Sequence, residues 1–426
     1  MRLGLISDVA EGTGFGRVAR ELAARWIEAG ADMRIVGINW RGAANEVAPL
    51  IAKGEPPEKV AAAYGAILED PVLQRTVPAA LNGDPMGNDL TQPFIEGAMT
   101  AGWRPDRLVV IADPRAMLER LVTDGGALQR TRAYNYVPIE GSGLTPFWRT
   151  MWGIVKPVAM SDFGARQINA VMGRDDVPMI RHGISPAFHP LTEATPSVTS
   201  KGVSVTSREQ ARELLGWTDR TVILRTDRNV PRKDYPAFFS AIAPVIAEHP
   251  EVLVVIHCSP IDEGGVLTEW LAQLPGAWNP GTSALGWRHG QVHLTAAHDT
   301  YKGLTDDQLN ILYAAADIYA SPTMAEGFGL TLAEAAAAGT AVITTDFAAG
   351  PEAVGPGALL VKPAAYVGTS HGHSWSIVDV PEFTRALDFL VRNPSKRAEL
   401  GAAGAKHVKR LDWDAAAVEF LRVLEA

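Results

Sequence analysis

AEGFGLTLAEAAAAGTAV, residues 325–342, joins a glycine-rich turn to an alanine-rich segment. Glu326 stands directly before Gly-Phe-Gly, and Glu334 follows eight positions later. The apolar run ADIYASP precedes this stretch, and TAVITTD follows Gly339, a residue type that often ends helices. The order strand, loop, helix, strand predicts a βαβ unit of a parallel sheet.

The loop of this unit has the features of a site for a phosphorylated sugar. Ligands of open α/β sheets bind at the carboxyl ends of the strands, and Gly327 and Gly329 let backbone approach a ligand closely. The unpaired N–H groups of the next helix suit phosphate oxygens. Two carboxylates repel an anion, so the ligand must also offer hydroxyl groups. We expect Glu326 to accept from a sugar and Glu334 from a ribose.

A second loop supplies positive charge. The segment TDRNVPRKDYP, residues 226–236, follows the apolar run TVILRT and contains Arg228 and Lys233, with Arg232 between them. An arginine can hold a phosphate with two hydrogen bonds, and a lysine acts as a point charge. We predict that these cations stabilise the charge that grows on a departing phosphate.

The rest of the chain indicates two α/β domains. Strand, loop and helix patterns at RLGLIS, MRIVGIN, RLVVIA and KPVAMS predict a first domain over residues 1–190. Residues 191–206, rich in Pro, Ser and Thr, are interpreted as a linker, and residues 207–411 as a second domain. Residues 412–426 form an amphipathic helix that needs a packing partner. The segment 259–303 has no clear assignment.

The composition of the chain argues against several classes of function. A formal net charge of −9 over 426 residues disfavours nucleic acid as a partner. The single cysteine, Cys258, favours a buried structural role and a reducing, cytoplasmic location. No apolar run reaches the roughly 18 residues of a membrane-spanning helix, and we expect no signal peptide at MRLGLISD.

Together these motifs resemble retaining glycosyltransferases of the GT-B fold, family 4. The resemblance rests on RNVPRK, on EGFGLTLAE with its paired glutamates, and on PVAMSDFGARQI, IRHGISPAFHP and GLTDDQLNILYAAADIYASP. It covers most of residues 150–425. It implies two Rossmann-like domains whose parallel sheets face each other across a cleft, with the C-terminal helix returning to the first domain.

The resemblance also implies roles for individual residues, without a metal ion or other cofactor. Arg228 and Lys233 would bind the diphosphate, Glu326 the transferred sugar and Glu334 the ribose. Backbone from Phe328 to Thr331 would touch sugar and phosphate. The full set expected to bind the donor is Arg228, Lys233, Glu326, Gly327, Phe328, Gly329, Leu330, Thr331 and Glu334.

Three further places are candidates for a site. Gly14, Gly16 and Arg17 form a glycine-rich loop that could contact phosphate or acceptor, or could be a tight turn with a solvated arginine. Asp113 follows a strand where many family members have a histidine. It could be a general base, which an inverting but not a retaining mechanism needs, it could position the acceptor in a retaining enzyme, or it could cap a helix. Glu140, in a loop with two glycines, could line the cleft.

Other motifs carry less weight. EGTGFGR, residues 11–17, lacks the spacing and the acidic residue of a dinucleotide fingerprint, which argues against a dehydrogenase. HGH at 371–373 has no third ligand in view and is interpreted as an exposed loop. DWD at 412–414 is better explained as a helix cap than as a metal site.

The sequence thus predicts a metal-independent glycosyltransferase that uses a UDP- or GDP-sugar and a hydroxyl acceptor, with Arg228, Lys233, Glu326 and Asp113 as catalytic candidates. A non-catalytic nucleotide-sugar-binding protein and a GT-B-fold epimerase remain alternatives. The acceptor could be a small molecule, a lipid, a protein or a modified DNA base. Neither the sugar, the nucleotide base nor the oligomeric state follows from the sequence.

Overall fold

A computed structural model describes residues 1–10, 13–52, 54–80, 84–192, 198–200, 203–274, 278–279, 287–295 and 304–426. They form two compact units. The first consists of Met1–Ile139, Leu144–His182 and Trp413–Ala426, and the second of Glu140–Gly143 and Gly183–Asp412.

The first unit is built on a parallel sheet. Its strands are β1 (Arg2–Ser7), β2 (Asp32–Gly37), β3 (Thr76–Pro78), β4 (Arg107–Ile111), β5 (Ala133–Val137) and β6 (Lys156–Ala159). They pair in the order β3-β2-β1-β4-β5-β6. Its helices are α1 (Gly14–Glu28), α2 (Ala43–Ala52), α3 (Pro57–Glu69), α4 (Thr91–Ile95), α5 (Pro114–Gln129), α6 (Phe147–Trp152), α7 (Asp162–Met172) and α16 (Trp413–Glu425).

The second unit has a larger sheet. Its strands are β7 (Val198–Ser200), β8 (Val203–Val205), β9 (Thr221–Arg225), β10 (Val252–Ile256), β11 (Ile261–Asp262), β12 (Gly265–Val266), β13 (Trp278–Asn279), β14 (Trp287–His289), β15 (Val292–Leu294), β16 (Ile318–Ser321), β17 (Ala341–Thr345), β18 (Ala358–Val361), β19 (Pro363–Gly368) and β20 (Ser374–Val378). Its helices are α8 (Arg208–Leu215), α9 (Tyr235–Glu248), α10 (Leu267–Leu271), α11 (Asp306–Ala315), α12 (Leu330–Ala337), α13 (Gly350–Val354), α14 (Val380–Arg392) and α15 (Pro394–Val408).

The order of the main sheet places the candidate loops together. Its strands run β13-β14-β15-β10-β9-β16-β17-β18, and those from β15 to β18 are parallel. Chain order reverses between the neighbours β9 and β16, which makes their carboxyl ends the topological switch point where such sheets bind ligands. The loop with Arg228 follows β9, and the loop with Glu326 follows β16. The predicted two-domain α/β fold is confirmed.

The boundary between the units differs from the one expected. The longer segment of the second unit begins at Gly183, before the predicted linker at 191–206. Within that segment, β7 and β8 pair in antiparallel register from Val198–Val205 to Ser200–Val203. Alternating valine and hydroxyl residues suit a short strand, which the composition of a linker conceals. Residues 193–197 and 201–202 of the predicted linker lie outside the described residues.

The last helix, α16, packs on the first unit through aromatic residues. Phe420 is fully buried, and its ring lies 5.1 Å from those of Trp26 and Tyr136. Trp26 also donates from Nε1 to the carbonyl of Ala417 at 3.2 Å. These contacts bury the apolar stripe of the helix on the first unit, the partner that the family resemblance implied. Among the described helices, none has both the length and the apolar character needed to cross a membrane.

His182 should make the stability of the first unit sensitive to acid. The residue is 2% exposed, with its ring 5.5 Å from that of Tyr136 and 5.6 Å from that of Trp413. Burial lowers the pKa of His182 from 6.5 to about 3. The unfolded chain therefore binds a proton that the folded chain excludes, and stability falls as pH drops from about 6.5 toward 3, by up to about 1.4 kcal/mol per pH unit.

Urea unfolding at pH 7 and pH 5 measures this effect. We expect His182→Phe to lose less stability than the wild type over this interval, since phenylalanine has no proton to bind. Equal losses in the two proteins would show that His182 does not carry the acid sensitivity.

Candidate functional site

Asp227 is the centre of the site. It follows β9 and has no exposed surface. Its carboxylate accepts from Lys233 Nζ at 2.7 Å, from Thr331 Oγ1 at 2.9 Å and from Ser321 Oγ at 2.5 Å. Burial alone would raise the pKa of Asp227, but the charges of Lys233 and Arg225 outweigh it and hold the pKa below its usual range. One ionised carboxylate thus ties together the β9 loop, the end of β16 and helix α12.

Lys233 and Glu326 form a direct buried ion pair. Lys233 ends the 3₁₀ turn Pro231–Lys233, and its side chain is 7% exposed. Its Nζ lies 2.6 Å from Glu326 Oε1 as well as 2.7 Å from Asp227 Oδ1. The structure therefore brings the predicted diphosphate cation and the predicted sugar-binding acid to one place, and a ligand here would meet both charges at once.

Arg232, for which no individual contact was predicted, is the second cation paired with Glu326. Its Nη1 lies 3.2 Å from Glu326 Oε2, and its Nη2 lies 2.9 Å from Glu140 Oε1. Burial opposes the charge of Arg232, yet the acids Glu140, Glu326 and Asp227 raise its pKa above the ordinary value. The sequence did contain a signal for this contact, because Arg232 stands directly before the predicted phosphate-binding lysine. An arginine at that position can bind a carboxylate as well as a phosphate.

Arg228 points to different partners than Lys233 does. Its side chain is 53% exposed, and its guanidinium binds Asp262 at 2.8 and 3.0 Å and Glu263 at 3.0 Å. Both acids belong to the β11–β12 hairpin, which Asn229 holds against the loop by donating to the carbonyl of Gly265 at 2.8 Å. The hairpin lies within residues 259–303, for which the sequence predicted no clear structure.

The amino end of α12 faces the same loops. Gly329, at φ +96°, precedes the helix in a left-handed conformation that favours glycine, and no side chain caps this end in the described structure. The predicted backbone donors Leu330 and Thr331 begin the helix directly after Gly327, Phe328 and Gly329. Thr331 also reaches Asp227 through its hydroxyl. The first turn is thereby fixed beside the ion pairs, with N–H groups oriented as an anion requires.

Glu334 is more deeply buried than we expected for a residue that contacts a ribose. It is 2% exposed and accepts from Tyr313 Oη at 3.0 Å. Tyr313 Oη also lies 2.7 Å from Thr226 Oγ1, one residue before Asp227. Burial and the neighbouring Glu334 raise the pKa of Tyr313 well above its usual value, so that it stays a donor. Contact of Glu334 with a ribose stays a prediction.

The candidates in the first unit occupy ordinary structural positions. Asp113 caps α5, and its Oδ1 accepts from Ala116 N at 2.9 Å, which is the capping alternative; a catalytic role stays a prediction. Helix α1 begins at Gly14, so Gly14 and Gly16 lie in its first turn and not in a loop. Arg17 donates from its backbone to Thr13 O at 3.0 Å. Residues 11–12 of the same motif lie outside the described residues.

Glu140 and the HGH motif meet in the second unit. The segment Glu140–Gly143 groups with that unit, where Ser142 and Ser374 exchange backbone hydrogen bonds of 3.1 and 2.8 Å. His373 is buried, and burial, with His371 nearby, lowers its pKa to about 4. The interpretation of this motif as an exposed loop was therefore wrong for His373, since the neighbouring segment covers it.

Neither of two other polar groups resembles a reactive centre. The Cys258 thiol is buried and 3.2 Å from Tyr235 Oη, and burial raises its pKa to about 12. Glu248, His249 and Asp388 lie close enough together to hold a metal ion. Arg392, however, binds both acids of that group, with Nε 2.9 Å from Asp388 Oδ2, and would compete with a cation.

Comparisons with known proteins identify a family and several relatives that this chain resembles. Residues 288–407 match the family described as "Glycosyl transferases group 1". The chain carries a glycosyl transferases group 1 domain. A GDP-mannose-dependent monoacylated alpha-(1-6)-phosphatidylinositol monomannoside mannosyltransferase from Corynebacterium glutamicum is 30% identical over 251 residues, 56% of this chain and 57% of the relative. The phosphatidyl-myo-inositol mannosyltransferase of Mycobacterium tuberculosis is 27% identical over 64% of this chain and 60% of its own.

Solved structures share the fold over nearly the whole chain. Anabaena Alr3699/HepE in complex with UDP and glucose superposes with a TM-score of 0.64 at 14% identity, covering 100% of this chain and 99% of its own. A glycosyltransferase from Rickettsia africae gives 0.64 at 13% identity, covering 99% of this chain and 97% of its own. The sequence matches, in contrast, span less than two thirds of the two mannosyltransferases. The predicted GT-B resemblance is confirmed at the level of the domain and the fold.

Replacing Lys233 should reduce stability as well as any activity. Lys233→Ala leaves the carboxylates of Asp227 and Glu326 buried without their shared cation, and breaking such a pair costs about 3–5 kcal/mol. Lys396→Ala is the matched control, because Lys396 forms a more exposed pair with Glu399 at 2.7 Å that should contribute less than about 1 kcal/mol. Denaturant unfolding compares the two; similar losses would contradict the buried network.

Proposed function

We propose that the protein is a retaining glycosyltransferase that moves a sugar from a nucleoside diphosphate to a hydroxyl acceptor. The observation that carries the proposal is the meeting of Lys233, Glu326 and the amino end of α12 at the switch point of the second sheet. Cationic and N–H groups match a diphosphate, and the adjacent carboxylate matches sugar hydroxyls.

The proposed reaction exchanges one bond for another at the anomeric carbon. The bond from this carbon to the diphosphate oxygen breaks, the bond to the acceptor oxygen forms, and the acceptor proton passes to the departing diphosphate. Lys233 and the N–H groups of α12 stabilise the negative charge on the leaving group. Glu326 orients the sugar through its hydroxyls. Because these groups supply the positive charge, we propose a reaction without a metal ion.

The relatives suggest which substrates to test first. Two of them are named mannosyltransferases, one of them GDP-mannose-dependent, with acceptors named as phosphatidylinositol derivatives. We therefore propose GDP-mannose as the first donor and an inositol-containing lipid as the first acceptor. UDP-glucose is the second donor, since Alr3699/HepE was solved with UDP and glucose. Small metabolites, proteins and modified DNA bases are further acceptor classes.

Release of nucleoside diphosphate, followed by mass spectrometry, tests the proposal. The purified chain is incubated with each nucleotide sugar, with and without each acceptor. We expect release that depends on an acceptor and a glycosylated product. Nucleotide-sugar binding without turnover would instead support a binding protein, and conversion of the sugar without an acceptor would support an epimerase.

Arg228 permits a test with little effect on stability. Its pairs with Asp262 and Glu263 are at the surface, where such pairs contribute about 0–1 kcal/mol. We expect Arg228→Gln to lower kcat/KM for the nucleotide sugar about tenfold or more, because a charge-assisted contact to the diphosphate is lost. Arg385→Gln, at a similarly exposed pair with Glu382, should leave kcat/KM unchanged. Unchanged kinetics in Arg228→Gln would remove this residue from the site.

The acidic partners of Arg228 should weaken donor binding. A diphosphate and the carboxylates of Asp262 and Glu263 compete for the same guanidinium. The double variant Asp262→Asn with Glu263→Gln removes two negative charges, so we expect KM for the nucleotide sugar to fall about three- to tenfold at low salt. A higher KM would mean that the hairpin instead holds Arg228 in its binding position.

A further inference from the structure

Arg232 joins two carboxylates from distant parts of the sequence. One end of its guanidinium, Nη1, lies 3.2 Å from Glu326 Oε2, and the other, Nη2, lies 2.9 Å from Glu140 Oε1. The side chain is 22% exposed, so water screens these pairs only in part. An arginine held at both ends has little rotational freedom, and this fixes the orientation of whatever it holds.

The backbone of Arg232 is anchored to the loop that carries Glu326. Its carbonyl accepts from Met324 N at 2.7 Å and from Thr323 Oγ1 at 3.2 Å. Its Nη1 also lies 3.3 Å from the carbonyl of Ala325. Arg232 is therefore fixed to the exit loop of β16 by main chain and side chain together, directly before Glu326.

Glu140 is held in place by a close packing contact. A Cβ on Gly141 would lie 2.2 Å from Cδ2 of His373 and 2.7 Å from the carbonyl of Ser374. Glycine alone permits this approach without a shift of one chain segment. The pairing of Ser142 with Ser374 secures the other side of the segment. Position 140 is thus determined by the β19–β20 hairpin.

We infer that Arg232 is a positioning residue that orients Glu326 toward the donor sugar, and that Glu140 is the counter-ion that fixes Arg232. The inference rests on the proposed function. Lys233 holds Oε1 of Glu326 and Arg232 holds Oε2, so the plane of the carboxylate is defined. Lysine is a rotatable point donor and could not define that plane alone. Each oxygen keeps a second lone pair for a sugar hydroxyl.

A double-mutant cycle tests whether Arg232 acts through Glu326. We expect Arg232→Gln to lower kcat about 10- to 100-fold, with KM for the nucleotide sugar changing less than about threefold, because misorientation affects the reacting geometry more than diphosphate binding. In the Glu326→Gln background, adding Arg232→Gln should slow turnover no further than about twofold. Arg232→Lys, which keeps the charge but cannot bridge both acids, should resemble Arg232→Gln.

The Glu140 contact has its own pair of variants. Gly141→Ala and Glu140→Gln should both lower kcat in the same direction as Arg232→Gln, and neither should have a further effect when Arg232 is already glutamine. Gly368→Ala, on the same hairpin but with nothing near its Cβ, is the matched control and should keep wild-type kinetics. Circular dichroism and thermal melts identify any variant that fails to fold, and Glu140→Gln, a near-isosteric change, remains informative in that case.

The outcomes separate the inference from the proposed function. If the wild type releases nucleoside diphosphate but Arg232→Gln and Glu326→Gln have multiplicative effects on kcat, the positioning role is overturned and the glycosyltransferase activity stands. Multiplicative effects are what a residue with a merely structural role would give. If the wild type turns over no nucleotide sugar with any acceptor, the proposed function is overturned, and the positioning role falls with it.

Discussion

The carboxylate of Asp227 is the interaction on which the candidate site depends. It lies fully buried, and it accepts hydrogen bonds from Lys233, Ser321 and Thr331, three side chains on three separate segments. A buried ionised acid is costly unless it is compensated, so each of these donors is constrained to remain where it is. Asp227 can shape the site without contacting a ligand, because it sets the distance between Lys233 in one loop and the amino end of α12 after the other.

The charged side chains around Asp227 balance one another in number. The cluster contains three acids, Asp227, Glu326 and Glu140, and three bases, Arg225, Arg232 and Lys233, of which Glu140 and Arg232 are partly exposed. Arg225 is stacked against the ring of Tyr235 at 3.8 Å, which compensates part of its burial. Within this cluster the charges compensate one another. For the proposed diphosphate, the exposed Arg228 and the N–H groups at the start of α12 would add positive charge to that of Lys233.

Much of this arrangement followed from local sequence, and the parts that did not are long-range contacts. The βαβ unit around residues 325–342 could be predicted because glycine, helix period and strand composition agree within one short segment. The closeness of Lys233 and Glu326 followed from topology, since both loops leave neighbouring strands. Strand β5, AYNYV, was missed because Asn135 interrupts its apolar pattern; the structure buries this side chain and lets it donate to the carbonyl of Val110 at 3.3 Å.

The partners of Arg228 and Arg232 could not be predicted from the neighbouring sequence, because these contacts are also long-range. Whether Arg228 meets a phosphate or Asp262 depends on a hairpin that the sequence could not place. Whether Arg232 gains a second carboxylate besides Glu326 depends on Glu140, which approaches because Gly141 has no side chain to collide with His373. The sequence shows that both positions carry a positive charge. Packing elsewhere in the unit determines which carboxylate each arginine binds.

Both units repeat the strand order of a doubly wound sheet, and the switch point of the second adds to its carboxylate, Asp227, a lysine and a helix end that no described side chain caps. In the first unit, the ends of β1 and β4 lead to Asp8 and Asp113. Asp8 accepts from the hydroxyl of Thr13, the residue that caps α1, and Asp113 caps α5. In the second, the ends of β9 and β16 lead to Lys233 and to a helix that begins with an uncapped glycine turn. The same topology therefore offers two positions for a ligand, and it is the residues placed there that make the second unit the one suited to an anion.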